Sequence, residues 1–183
     1  MTDKPQKGAW RYAVPLALFI VLGGFLFAGL QLNPTVIESP LIGKAAPEFS
    51  LPNLHDMGTQ VGTRDFGDRF VLLNVWATWC VECRREHSYL MQLADSGVPI
   101  YGIDWKDDTN AALQWLQVLG DPYAATGVDQ VGDVAIDYGV YGAPETFLIG
   151  PDGKILRKRI GVMTPTIWET EFLPAIESAR SGG

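Results

Sequence analysis

The two cysteines of this 183-residue chain, Cys80 and Cys83, constrain its fold more than any other feature. They are spaced C-x-x-C and directly follow an apolar run over residues 70–77. Such a run is typical of a buried central strand, so the sequence predicts a strand, a turn and a helix that begins near Cys80. Unpaired N–H groups and the helix dipole would favour a thiolate at Cys80, and Cys83 lies one turn further on. The pair is therefore predicted to perform thiol–disulfide exchange.

The first 32 residues differ in character from the rest. Three basic residues precede an uncharged apolar stretch over 13–32, which as a helix would span about 30 Å, the hydrocarbon thickness of a bilayer. A cleaved signal peptide has a shorter apolar region and a small-residue cleavage site, so we predict an uncleaved anchor with its basic end in the cytoplasm. The predicted division is 1–12 basic cytoplasmic N-terminus, 13–32 transmembrane anchor, 33–42 linker and 43–183 exported domain.

The charge balance and the predicted export reduce the number of functions that the chain could have. The chain carries 21 Asp and Glu against 14 Lys and Arg, and three of the basic residues precede the apolar stretch. An acidic domain argues against nucleic acid, whose phosphates need a basic face. In an oxidising compartment the cysteines could form a purely structural disulfide. A bridge across only two residues removes little chain entropy, however, so a redox role is favoured.

The remaining pattern predicts an α/β domain. A second central strand is expected over 98–104 and a helix capped by Asp107 and Asp108 that ends at Gly120. This β-α-β-α order implies parallel strands joined by a right-handed crossover. The closing part predicts a hairpin over 146–160, and a last helix follows it from about Pro165 to Ala179. The domain is thus expected to be a mixed sheet with helices on both faces. Its insertion over 121–138 is expected to hold a loop, a short strand around Val128 and a helical turn near 134–138.

Five segments of the chain resemble the thiol:disulfide interchange proteins of cytochrome c maturation, the DsbE/CcmG type of the thioredoxin superfamily. The segments are 74–80, 83–84, 86–87, 105–108 and 139–149. The most specific is Gly-Val-Tyr-Gly-Ala-Pro-Glu-Thr over 139–146, because a bare C-x-x-C occurs in many oxidoreductases. The resemblance implies a thioredoxin-like fold, a single-pass anchor in a bacterial inner membrane and a domain in the periplasm.

The resemblance also implies roles for individual residues. Cys80 would attack a partner disulfide and Cys83 would resolve the mixed disulfide. Pro144 matches the cis-proline of the family, which packs beside the C-x-x-C and leaves a backbone edge for an extended substrate peptide. The residues expected to form the substrate groove and to tune the cysteine pKa are Trp79, Glu82, Glu86, Tyr141, Ala143, Pro144 and Glu145.

Carboxyl groups are expected to set the acidity of the site. Carboxylates near a thiolate disfavour the anion, so Glu86 and Glu145 should raise the cysteine pKa. Asn74 stands six residues before Cys80, where many thioredoxins have a buried carboxylate, and asparagine cannot titrate. Glu145, Glu86 or water would then carry the proton of Cys83. The alternative for Glu86 is a solvated helix position paired with a neighbouring arginine.

The sequence departs from the family between the cysteines, where Val81 and Glu82 stand in place of a common proline. Loss of the proline loosens the first helical turn. If Glu82 folds over the sulfur atoms, it should raise their pKa and make the couple more reducing. The alternative is that Glu82 points into water with little effect.

By resemblance, the expected function is reduction of disulfides in apocytochrome c haem-attachment sites or in an accessory maturation protein. Electrons would come from a membrane thiol transporter of the DsbD/CcdA kind, and no cofactor beyond the cysteine pair is expected. A general periplasmic thiol reductase of the TlpA/ResA type is the alternative. A third is a metal chaperone that uses Cys80, Cys83 and His87. A peroxide-reducing enzyme would share the Ala-Pro-x-Phe-x-Leu segment over 46–51 but would need a lone reactive cysteine.

Overall fold

The computed structural model describes residues 10–30 and 39–181, and the chain divides into two compact units, Met1–Ile37 and Glu38–Gly183. Helix α1, Trp10–Leu30, makes up the described part of the first unit. Its stretch Trp10–Gly29 has a mean hydropathy of 2.1 and is a candidate membrane span. The predicted anchor coincides with α1 as far as Leu30. Its last two residues lie outside the described residues, as do most of the predicted cytoplasmic N-terminus and most of the linker.

The second unit is built on a mixed sheet. Within the described residues the sheet has seven strands: β1 Ser50–Asn53, β2 Asp56–Gly62, β3 Val71–Trp76, β4 Ile100–Trp105, β5 Ala125–Asp129, β6 Glu145–Ile149 and β7 Ile155–Ile160. Their spatial order is β2-β1-β5-β4-β3-β6-β7. Strands β3, β4 and β5 are mutually parallel, and the other pairs are antiparallel. The predicted parallel pair and the predicted closing hairpin are therefore confirmed.

Helices cover both faces of the sheet. They are α2 Val81–Asp95, α3 Thr109–Leu119, α4 Asp133–Asp137, α5 Pro165–Ile167 and α6 Leu173–Ser181. Because side chains alternate along a strand, Leu72 and Trp76 of β3 face a core cluster that includes residues of α2, α3 and α6. Leu73 and Val75 face the opposite cluster, which Val134 of α4 joins. The predicted thioredoxin-like sheet with helices on both faces is confirmed.

The starts of the two predicted central helices follow from their caps. Cys80 is the N-cap of α2, and its Sγ accepts the N–H of Cys83 at 3.0 Å. Asp108 is the N-cap of α3, and its carboxylate accepts the N–H of Ala111 at 2.9 Å. Gly120 follows α3 with φ 92°, a conformation that favours glycine and ends the helix.

Two parts of the domain, β2 and the last helix, differ from the prediction. Strand β2, which forms a hairpin with β1, was not expected, because its mostly exposed residues give no apolar alternation. Within 121–138 the expected short strand around Val128 is β5, which pairs with both β4 and β1, and the expected helical turn is α4. The last helix is not uniform, because a π-helical stretch, Trp168–Phe172, separates α5 from α6.

Candidate active site

The redox centre lies between the end of β3 and the first turn of α2. Cys80 and Cys83 form a disulfide with their Cα atoms 5.3 Å apart. Cys80 is 6% exposed and Cys83 only 2%, so both residues are largely buried and the one at the helix cap is slightly more exposed. In the dithiol state the same N-cap position would offer a Cys80 thiolate the helix N–H groups and dipole.

The turn before Cys80 is fixed to the loop that follows β4. The carboxylate of Asp107 accepts both the N–H and the hydroxyl of Thr78, the latter at 2.8 Å. The indole Nε1 of Trp79 donates to the carbonyl oxygen of Lys106 at 3.2 Å, and the ring is tilted against Trp105. Trp79 is nevertheless 55% exposed, so its ring lies at the protein surface next to Cys80 in the chain. Asp107 is a site-forming residue that the sequence analysis treated only as a helix cap.

The segment before β6 approaches the same cluster. The Ala143–Pro144 peptide bond is cis, which confirms the expectation from the resemblance. Ala143 packs against the core cluster that contains both cysteines. The carbonyl oxygen of Pro144 accepts the N–H of Gly161 at 2.8 Å. Ala143 therefore packs on the same core cluster as the cysteines, and the position of Pro144 beside the cysteine pair stays a prediction.

Glu86 is buried on the face of α2 that carries Cys83, one helical turn further on. Its Oε2 accepts the N–H of Met163 at 2.6 Å, and its Oε1 accepts the Nδ2–H of Asn74 at 2.9 Å. Burial raises the pKa of Glu86 from 4.5 to about 7, although these two hydrogen bonds oppose the shift. The alternative of a solvated Glu86 paired with an arginine is thereby excluded.

Asn74 links this carboxyl group to the sheet. Its Nδ2 also donates to Thr146 Oγ1 at 3.0 Å, and its Oδ1 accepts the hydroxyl of Tyr123 at 2.8 Å. Burial, with smaller contributions from nearby acids, raises the pKa of Tyr123 well above 10. An amide that cannot titrate thus orients a carboxyl group that can. Tyr123 gave no sequence signal, because it lies 49 residues from Asn74 in the chain.

Glu145 has a different environment from Glu86. It is fully buried, and its Oε1 accepts the N–H groups of Tyr141 at 2.7 Å and Gly142 at 3.2 Å. Its Oε2 lies 2.8 Å from Nζ of Lys158, whose side chain is also buried. By strand alternation, Glu145 lies on the opposite sheet face from Thr146, which contacts Asn74. Its influence on the cysteine pKa stays a prediction, and Lys158 is a partner that the sequence analysis missed.

The other predicted groove residues are at the surface. Tyr141 is 69% exposed, and the ammonium group of Lys158 lies 4.8 Å from its ring centroid. Glu82 forms an ion pair with Arg85 at 2.7 Å, and both side chains are largely solvent-accessible. This geometry matches the alternative in which Glu82 faces water.

His87 belongs to the packing between α2 and the end of α3. Its Nε2–H donates to the carbonyl oxygen of Gly120 at 3.0 Å, and its ring meets Trp115 edge to face at 4.3 Å. Burial lowers its pKa, which favours the neutral imidazole. Residues 10–30 and 39–181 contain no group of three or more His, Cys, Asp or Glu arranged to hold a metal ion.

Together, the mixed sheet, the cysteine pair at the start of α2 and the cis-proline before β6 define a thiol:disulfide oxidoreductase with a thioredoxin-like fold. The family model named Redoxin matches residues 41–173. The thioredoxin domain of a thiol-disulfide oxidoreductase from Bacteroides vulgatus has a TM-score of 0.64 and 26% identity, over 75% of this chain and 99% of that one.

Curated relatives specify the class further. The thiol:disulfide interchange protein DsbE of Allochromatium vinosum is 46% identical over 179 residues, which cover 97% of this chain and 98% of the relative. DsbE of Escherichia coli K12 is 44% identical over 171 residues, which cover 90% of this chain and 92% of the relative. The chain therefore belongs to the Redoxin family and, within it, to the DsbE-type thiol:disulfide interchange proteins.

Proposed function

We propose that the chain is a membrane-anchored, periplasm-facing reductant that acts on disulfides during cytochrome c maturation. The observation that carries the proposal is the position of Cys80 at the N-cap of α2, with a buried Cys83 and a buried Glu86 on the following turns. A nucleophile at a helix N-terminus, a buried resolving thiol and a proton acceptor are the parts that such a reductase needs.

The reaction is a two-electron exchange. The Cys80 thiolate attacks one sulfur of the partner disulfide, the partner S–S bond breaks and the first partner thiolate leaves. The Cys83 thiolate then attacks the Cys80 sulfur and forms the Cys80–Cys83 disulfide, while the second partner thiolate leaves. The partner gains two electrons, and this protein is oxidised to the disulfide.

Glu86 is the group that we assign to proton transfer with Cys83. The two residues are three positions apart on α2 and are both buried. A carboxyl group whose pKa is raised to about 7 is half ionised near neutral pH, where it can both accept and return a proton. Glu145 is less suited, because its carboxylate is already held by Lys158 and by two backbone N–H groups.

The cellular setting is inferred from the anchor and the family. The apolar helix Trp10–Gly29 is long enough to cross a bilayer, and basic residues precede it. The relatives are named thiol:disulfide interchange protein DsbE. We assign apocytochrome c haem-attachment cysteines, or an accessory maturation thiol protein, as the partner. A membrane thiol transporter of the DsbD/CcdA kind is assigned as the electron donor.

Partner trapping tests the proposal. A Cys83→Ser variant of the full chain cannot resolve the mixed disulfide, so its natural partners stay bound through Cys80. The variant should capture apocytochrome c or a haem-maturation thiol protein, and Cys80→Ser should capture neither. Capture of many unrelated periplasmic proteins in equal measure would contradict the assignment and would favour a general reductase of the TlpA/ResA type.

A further inference from the structure

Asp104, at the end of β4, is a buried carboxyl group that the proposed mechanism does not use. It is fully buried, and no N–H or hydroxyl donor within residues 10–30 and 39–181 is hydrogen-bonded to either of its oxygen atoms. No ion pair in that part of the chain includes it. A buried, ionised and unpaired carboxylate would strongly destabilise the fold, so Asp104 is expected to be protonated and neutral.

The surroundings of Asp104 are mainly aromatic and apolar. It is in register with Trp76 on β3 and with Val128 on β5. The ring of Trp76 is stacked between Trp115, at 4.9 Å, and Tyr123, at 5.5 Å. These side chains exclude water from the end of β4 and offer no positive charge.

The charged neighbours of Asp104 are acidic. The titratable groups that face it are Asp107 and Asp108 from the loop after β4, Tyr123 from the segment before β5 and, through Tyr123 and Asn74, Glu86 from α2. After burial, the charge of Asp107 and a side-chain hydrogen bond with it raise the pKa of Asp104, so the two carboxyl groups are neighbours. The nearby Lys106 ammonium lies instead over the ring of Trp105, 5.5 Å from its centroid.

Asp107 has the contacts of an ionised carboxylate. It accepts hydrogen bonds from the N–H and the hydroxyl of Thr78 and from the N–H of Asp108, the last at 2.8 Å. A carboxylate has about four acceptor positions, so one remains for a further donor. Neighbouring carboxylates disfavour each other's ionisation, so a proton on the buried Asp104 satisfies both groups.

We propose that Asp104 is a positioning residue: as a protonated acid it donates a hydrogen bond to the Asp107 carboxylate, which holds Thr78 and thus the turn that carries Trp79 and Cys80. Loss of the Asp104 proton places two negative charges together and loosens the contact between Asp107 and Thr78. The inference rests on the proposed role of Cys80 only for its catalytic consequence, since the acid pair itself exists in the disulfide state.

The pH at which this contact weakens follows from the same surroundings. Burial, and then the charge and hydrogen bond of Asp107, raise the pKa of Asp104 from 3.8 to about 8. The acid therefore stays protonated at neutral pH and loses its proton as the pH rises through about 8.

The test uses the full chain in detergent micelles, in its disulfide form, so that neither cysteine titrates. The amide resonance of Thr78 and the carboxyl carbon of Asp104 are followed by NMR between about pH 6 and pH 10. Both should shift together with a midpoint near pH 8. In Asp104→Asn the Thr78 step should vanish, because a neutral amide still donates to Asp107 at every pH. The exposed control Asp137→Asn should keep the wild-type step.

Two results would overturn the inference: a Thr78 amide that does not titrate with Asp104 in the wild type, or a step that survives in Asp104→Asn. The titration of the Thr78 amide in the wild type tests the inference by itself, even if the Asp104→Asn variant fails to fold. A parallel assay measures the reduction of a small disulfide by the dithiol form. Failure of that reaction would contradict the proposed function and would leave the NMR result on the acid pair unchanged.

Discussion

Glu86→Gln should remove a pH dependence of stability that the buried carboxyl group creates. The pKa of Glu86 is raised from 4.5 to about 7, which corresponds to about 3 kcal/mol at about 1.4 kcal/mol per pH unit. The raised pKa means that the folded state binds the proton of Glu86 more tightly than the unfolded state does. The contribution of Glu86 to the free energy of unfolding is therefore highest below pH 4.5. It should fall by about 3 kcal/mol as the pH rises from 4.5 to about 7 and then stay level as far as this group is concerned.

Urea unfolding of the oxidised compact unit Glu38–Gly183 at a series of pH values measures this term. The wild-type curve minus that of Glu86→Gln isolates Glu86, because every other titrating group is common to both chains. Glutamine keeps an oxygen for the N–H of Met163, so the variant should fold. The exposed Glu177→Gln serves as the control and should follow the wild type. Equal slopes for wild type and Glu86→Gln between pH 4.5 and 7 would refute the reasoning.

Two further substitutions distinguish buried from exposed charges. Lys158→Met leaves the buried Glu145 carboxylate without its cation and should cost about 3–5 kcal/mol in denaturant unfolding, whereas adding Glu145→Gln should recover part of the loss. Fully additive effects in that double-mutant cycle would mean that the ion pair does not couple the two residues. Glu82→Gln removes only an exposed pair with Arg85 and should change stability by less than about 1 kcal/mol. It should also leave the Cys80 pKa, measured by thiolate absorbance, unchanged; a fall of about one unit would show that Glu82 acts on the sulfur atoms.

Secondary-structure elements that depend on residues close together in the chain could be predicted from the sequence. The apolar run before Cys80, its cap position and the Asp108 cap predict the strand and both central helices, and the structure confirms them. The cis bond at Pro144 was expected only from the resemblance, because spacing alone does not distinguish cis from trans. Strand β2 was missed because most of its residues are exposed, so no apolar alternation marks it.

The parts of the site that depend on distant contacts could not be predicted. Glu86 is oriented by Asn74 and by Met163, which are 12 and 77 residues away in sequence. The sheet face on which Glu145 lies depends on the register of β6, and its cation comes from β7. In both cases the residue type was visible in the sequence, but burial and partner were not.

The reduction potential of the Cys80–Cys83 couple tests the central claim, that this protein acts as a reductant, most directly. The full chain is equilibrated in thiol–disulfide buffers of known potential, and the dithiol fraction is measured by alkylation and mass. The account predicts a potential more negative than about −170 mV, at least about 50 mV below that of a strong oxidant such as DsbA. A potential near about −120 mV would contradict it, because the pair would then donate its disulfide to partner proteins rather than reduce theirs.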